Sequence, residues 1–91
     1  MTMTAVWFKV DGDRVAQSLQ EAQAQLGSSE GELVLDFSDV QRVDPSALRA
    51  IEAFAVAADE KVVKGVMRGV NVGIYKVLKL ARLSSRFSIV N

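Results

Sequence analysis

Leu33 to Ala58 reads LVLDFSDVQRVDPSALRAIEAFAVAA, and the fold is decided by how this stretch is read. It opens with Leu33-Val34-Leu35-Asp36-Phe37, a short apolar run bounded by Gly31 before it and Ser38-Asp39 after it. A run of that length and composition reads as a buried strand. A helical pattern then starts at Asp44-Pro45-Ser46. Asp44 suits the N-cap, because its carboxylate can accept from the free amides of the first turn. Pro45 falls at the first helical position, where a missing N–H costs nothing. The helix runs through Leu48, Ile51, Phe54, Ala55 and Ala58. At about 100° per residue, Leu48, Ile51, Ala55 and Ala58 share one side and are the expected core positions. The stretch is strand, tight loop and capped helix. Its loop lies at the strand's carboxyl end, where open α/β sheets gather their functional groups.

The flanking sequence repeats this alternation. Ala5–Val10, AVWFKV, has the β-branched and aromatic residues of a strand, and Asp11-Gly12-Asp13 turns the chain. Val15, Leu19, Ala22 and Leu26 recur at helical spacing, and Gly27 is the expected terminator of that helix. Ser28 to Gly31 is a polar loop, and the central helix ends near Glu60. Lys64–Arg68 is the third strand, although it contains Gly65. Gly69-Val70-Asn71 follows, with Asn71 placed to cap a helix whose stripe is Ile74, Val77, Leu78 and Ala81. Leu83 and Ser84-Ser85 close that helix, and Phe87–Val90 forms a last short strand. The order β-α-β-α-β-α-β predicts an α/β fold: a small, mainly parallel or mixed four-stranded sheet with about three helices and right-handed crossovers. Residues 1–91 read as a single domain.

Composition narrows the chemistry. The 91 residues contain no Cys, hence no disulfide, thiolate or Cys-based metal site, and no His, the commonest general base and metal ligand. Asp36, Asp39 and Asp44 are the carboxylates nearest one loop, but each has a structural role open to it, in a strand end, a turn and a cap. No nucleophile–base pair can be assembled, so no enzymatic activity, cofactor or metal is expected. No run approaches a membrane span, and the N-terminus lacks a basic region followed by an apolar one, so a cytoplasmic protein is expected.

The net charge of zero hides a split. Residues 1–60 hold all eleven acids against four basic residues, a net of −7, whereas residues 61–91 hold seven basic residues and no acid. Either the surface is dipolar and complements itself, or the basic third faces an acidic partner, a membrane surface or nucleic acid. One Trp and one Tyr give no aromatic interleaving for stacking on bases, which argues against nucleic acid.

The motifs resemble those of the STAS family, the sulfate transporter and anti-sigma factor antagonist domain. The residues that carry the resemblance are Leu35-Asp36-Phe37-Ser38, Val40, Val43 and Asp44-Pro45-Ser46-Ala47-Leu48. Arg68-Gly69-Val70-Asn71 with Tyr75, Leu78, Lys79 and Leu80 is similar to the small STAS subunits of bacterial phospholipid-transport ABC systems. The resemblance implies a non-enzymatic regulatory or scaffolding domain of the anti-sigma factor antagonist type, acting through protein–protein contact. Its implied partner is an anti-sigma factor kinase or the ATPase subunit of a lipid transporter, the latter giving only an indirect link to membrane. A small-ligand or nucleotide-sensing module using the loop before Asp44 is the independent alternative.

Two departures bear on that reading. The family's phospho-acceptor serine directly follows the motif Asp; here that position is Pro45, so Ser46 is the hydroxyl left as a candidate acceptor. Family members also carry a strand before Ala5–Val10. Without it this strand would be an exposed edge, open to homodimer formation over Trp7 or Phe8.

The expected partner surface comprises Asp44, Pro45, Ser46 and Ala47 at the helix start, then Arg49, Ala50, Ala53 and Ala57 along its outer side. An outer side this rich in alanine fits either plain helix propensity or a flat surface for close packing.

Overall fold

A computed structural model describes residues 6–28 and 31–90. Four strands alternate with three helices: β1 Val6–Lys9, α1 Val15–Ala24, β2 Glu32–Asp36, α2 Pro45–Lys61, β3 Lys64–Arg68, α3 Val72–Leu80 and β4 Ser88–Val90. Short 3-10 turns at Leu26–Ser28 and Ser84–Arg86 precede β2 and β4. The strands form one sheet in the order β1-β2-β3-β4, and every pairing is parallel. The expected α/β architecture is present. Ala5, the expected first residue of the first strand, lies outside the described residues.

The strand order fixes where the helices lie. When spatial order follows sequence order and every crossover has the same hand, all crossover helices fall on one side of the sheet. The core shows this arrangement. One hydrophobic cluster joins Leu19, Ile51, Phe54, Ile74 and Leu78 from the three helices to Leu33, Leu35 and Met67 from the central strands, with Phe8 and Ile89 packed at its margins. The alternate residues Val34 and Val66 lie outside that cluster, on the opposite face, in register with Trp7 and Ser88. Gly65 is needed on the covered face. A Cβ there would lie 2.8 Å from the ring of Phe87, which stacks on Phe54 with centroids 6.1 Å apart.

Local signals placed most element boundaries, with three corrections. Gly27 does not terminate α1 through a left-handed turn: the helix ends at Ala24, Gln25 caps it in right-handed conformation, and Gly27 sits inside the 3-10 turn. Leu48 lies at the margin of the core. Ile51, Phe54, Ala55 and Ala58 form the buried stripe of α2 as expected, and Ala47 takes the place of Leu48 at its start. The ends of α2 and α3 share a motif that has no glycine to announce it. Val63 N–H donates to the Ala58 carbonyl and Val62 N–H to that of Asp59, while Leu83 and Arg82 repeat the pattern on Leu78 and Lys79. These are Schellman turns, with Val62 (φ 56°) and Arg82 (φ 61°) at the left-handed position and Val63 and Leu83 buried just after it.

Candidate functional site

The loop between β2 and α2 is assembled from short hydrogen bonds at the carboxyl edge of the sheet. Asp36, the last residue of β2, accepts from Ser38 N–H at 2.9 Å, which closes a tight turn. That bond, then the Ser38 hydroxyl, then the charges of Lys9 and Arg68 hold its carboxyl below the ordinary 3.8. Phe37 N–H donates to the Arg68 carbonyl at 2.7 Å, fastening the loop to the end of β3, and the buried Phe37 side chain anchors it in the core. Asp44 accepts from Ala47 N–H at 2.7 Å as the N-cap of α2, with Pro45 at the first helical position.

Neighbouring loops close on this one. Gly69 has φ 73°, and a Cβ on it would come within 3 Å of the Ser38 backbone, so both its conformation and its surroundings require glycine. Asn71 caps α3 by accepting from Ile74 N–H at 2.8 Å, and its Nδ2 donates to the Gln41 carbonyl at 3.0 Å. Gly69-Val70-Asn71 is thereby tied to the loop before α2. On the other side Gly12 packs against the Asp39 carbonyl, and Lys9 pairs with Asp39 at 3.1 Å. A hydrogen bond from Lys9 to Asp39, followed by the charge of that carboxylate, raises the lysine pKa above its ordinary value.

The three carboxylates singled out in the sequence do not converge on one point. Asp36 is engaged with Ser38, Asp39 with Lys9, and Asp44 with Ala47. Among the described residues no three Asp, Glu, His or Cys side chains are grouped to hold a metal. A recess of about 450 Å³ lies between Gly12, Arg42, Asp44 and Ser46, open to solvent and mixed in charge.

Asp44, Pro45, Ser46, Arg49 and Ala53 are exposed. Ala47 points inward beneath the cap and is buried, so it is not available at the surface. Ala50 and Ala57 are half-buried and pack against the core, flanking the outer side rather than forming its centre. That centre runs through Arg49, Glu52, Ala53, Val56 and Glu60, all exposed. Val56 is not among the residues expected on this surface, although its spacing of i+3 from Ala53 marks it as a neighbour on this face. At the sheet edge Trp7 is the outward-facing residue of β1 and Phe8 is half-buried against the core.

Among the described residues no helix is long and apolar enough to cross a membrane. Comparison with curated proteins gives no match. Solved structures do match. A crystal structure of a Thermotoga maritima protein described as an anti-sigma factor antagonist superposes with a TM-score of 0.76 at 17% identity, covering 96% of this chain and 79% of the other. An NMR structure of that protein gives a TM-score of 0.78 at 16% identity, covering 100% and 77%. A sulfate transporter family protein from Wolinella succinogenes gives 0.77 at 15% identity, covering 93% and 75%. At these identities the likeness establishes a shared fold. The family model of the STAS domain matches residues 6–91, nearly the whole chain, and the protein belongs to the STAS domain family.

Proposed function

We propose that the domain is a non-enzymatic regulatory module that binds a protein partner on the start and outer face of α2, in the manner of an anti-sigma factor antagonist. The observation that carries this reading is the surface of α2 itself. Pro45 and Ser46 stand exposed at a helix start whose cap is already satisfied by Asp44, and Ala53 and Val56 stand exposed among Arg49, Glu52 and Glu60. Small and aliphatic side chains there allow close approach, and charged residues at the rim supply specificity. The engaged carboxylates and the open recess favour docking over catalysis. Membership of the family and the description of the T. maritima neighbour support the regulatory class.

Pro45 has no hydroxyl to modify, and Ser46 is the exposed hydroxyl of the first turn. A phosphate on Ser46 would lie beside the free amides and positive end of the α2 dipole. A second reading has the ATPase subunit of a lipid transporter as partner. It is favoured by the Asn71–Gln41 bond, which places Gly69-Val70-Asn71 beside the α2 start on one edge.

The test is a pulldown from host lysate with wild type and Ala53→Arg, with captured proteins identified by mass spectrometry and both variants melted. Ala53→Arg is expected to lose the specific partner while its stability stays within about 0.5 kcal/mol of wild type. A kinase among the lost proteins selects the first reading, and a transporter ATPase the second. A variant that melts normally and keeps every partner rules out this surface.

A further inference from the structure

We propose that the solvent face of α3 is a contact surface for anionic lipid bilayers. The inference goes beyond the docking reading and stands on a different helix. It begins with the way the fold distributes charge. Residues 61–91 hold seven basic residues and no acid, and the sequential strand order places them on the β3–β4 side of the domain. The helix that crosses over on that side is α3.

Two sides of α3 have separate roles. Ile74 and Leu78 are buried, Ala81 packs partway against the core, and Val77 is half-buried. The opposite side carries three of the domain's exposed large hydrophobic residues, Val72 at 70%, Tyr75 at 41% and Leu80 at 86%. Lys76 and Lys79 lie between them, exposed, and Arg82 follows on the turn. Three other basic side chains are occupied: Arg86 pairs with Asp59, Lys9 with Asp39, and Arg68 lies 5.1 Å over the Trp7 ring. Among the described residues the side chains of Lys76, Lys79 and Arg82 make no ion pair or hydrogen bond.

The interleaving of lysine with aliphatic residues selects the occupant. Protein–protein interface cores are depleted in lysine, whose flexible ammonium is costly to desolvate and fix. At a bilayer surface the same side chain extends along apolar surface and leaves its ammonium among the phosphates, while neighbouring aliphatic groups enter the headgroup boundary. Tyr75 suits the same depth. The net −7 of residues 1–60 would be repelled by an anionic surface, which orients the domain with α3 toward the lipid. Binding of this kind is weak, reversible and sensitive to salt.

The experiment is cosedimentation of the full chain with vesicles of pure POPC and of equimolar POPC and POPG. It is run at low salt and again at ~0.5 M NaCl, where screening shrinks to a few ångström. The expected result is binding to the POPG vesicles alone, falling at least about tenfold at high salt; each cation near the surface accounts for about fivefold. The double variant Lys76→Glu/Lys79→Glu is expected to abolish binding. Leu80→Gln, which leaves charge unchanged, is expected to weaken it several-fold. Thermal melts confirm that each variant folds. The proposal is overturned if POPG vesicles bind no protein at low salt, or if their binding is unaffected by the double variant. Loss of a protein partner by the double variant, with no lipid binding by wild type, would likewise overturn it in favour of a protein contact. No protein partner is present in the vesicle experiment, so its failure leaves the α2 reading intact.

Discussion

The two faces of the sheet use alternate residues of the same strands and reach burial by different means. On the covered face Leu33, Leu35 and Met67 are enclosed by three helices and belong to the single hydrophobic cluster. On the other face Val34 and Val66 are nearly as inaccessible, yet they lie outside that cluster. Their neighbours across the strands are long: Trp7, 57% exposed, lies beside Val34 with Arg68 above its ring, and Glu32, Lys64, Lys9 and Asp36 border the row. One face is buried by tertiary packing and the other by its own side chains. A low accessible area therefore does not by itself identify a core residue. What a residue contributes depends on what replaces it when it is trimmed.

The most demanding test of that contrast is the pair Leu35→Ala and Val34→Ala, adjacent in the chain and on opposite faces. Leu35→Ala leaves a cavity walled by helices and should cost about 2–5 kcal/mol. Val34→Ala removes a cross-strand contact that Trp7 and Arg68 can settle into, and should cost about 1 kcal/mol or less. Denaturant unfolding measures both, and equal losses would end the distinction between the faces.

A methyl group added to each face sharpens the comparison at smaller scale. Gly65→Ala drives a Cβ into the Phe87 ring on the covered face and should destabilise by about 1–3 kcal/mol. Ser88→Ala on the open face should stay within about 0.5 kcal/mol. A neutral Gly65→Ala would mean that the Phe54–Phe87 stack has room to shift.

The smallest effect concerns the charged border of the open face. Asp36 has a lowered pKa in the folded chain, so as pH falls the unfolded chain takes up the proton first. Its contribution to stability is complete above 3.8 and is lost as pH drops below that value toward the folded pKa. Asp36→Asn should flatten the fall of Tm in this acid window and leave the rest of the profile unchanged. An identical slope in both proteins would show that the border carboxylate has no measurable part in stability.

Much of the fold was legible because its signals are local. Asp44 and Asn71 cap helices through their own side chains, and Pro45 fits the first turn whatever surrounds it. What the sequence concealed depends on the assembled layers. Leu33-Val34-Leu35 reads as apolar on both sides, so it gives no sign that helices cover only one of them; that follows from strand order. Ala47 and Leu48 both fit a helical stripe, and it is the position of α2 over the sheet that buries the smaller one. Val62 and Arg82 occupy left-handed turns that glycine usually marks, and buried Val63 and Leu83 hold them there. For the candidate site, the cap and the exposed Ser46 were readable. The Asn71–Gln41 bond, spanning 30 positions, was not, whereas Val56 could have been placed on the same face from its spacing to Ala53.

The sequential order of the strands also has a kinetic meaning. Val6 pairs with Leu33, Glu32 with Lys64 and Val66 with Ser88, so each strand seeks its partner 22 to 32 residues back along the chain. Loop-closure entropy changes only slowly with length, by about 0.6 kcal/mol per doubling, so the three closures are nearly equal in cost. No strand must be inserted between two that have already paired. Each new one adds to a finished edge and brings its own helix as cover. Synthesis from the N-terminus thus presents the strands in an order in which the sheet can grow, and β4, only three residues long and joined on one side, is the last piece to be added.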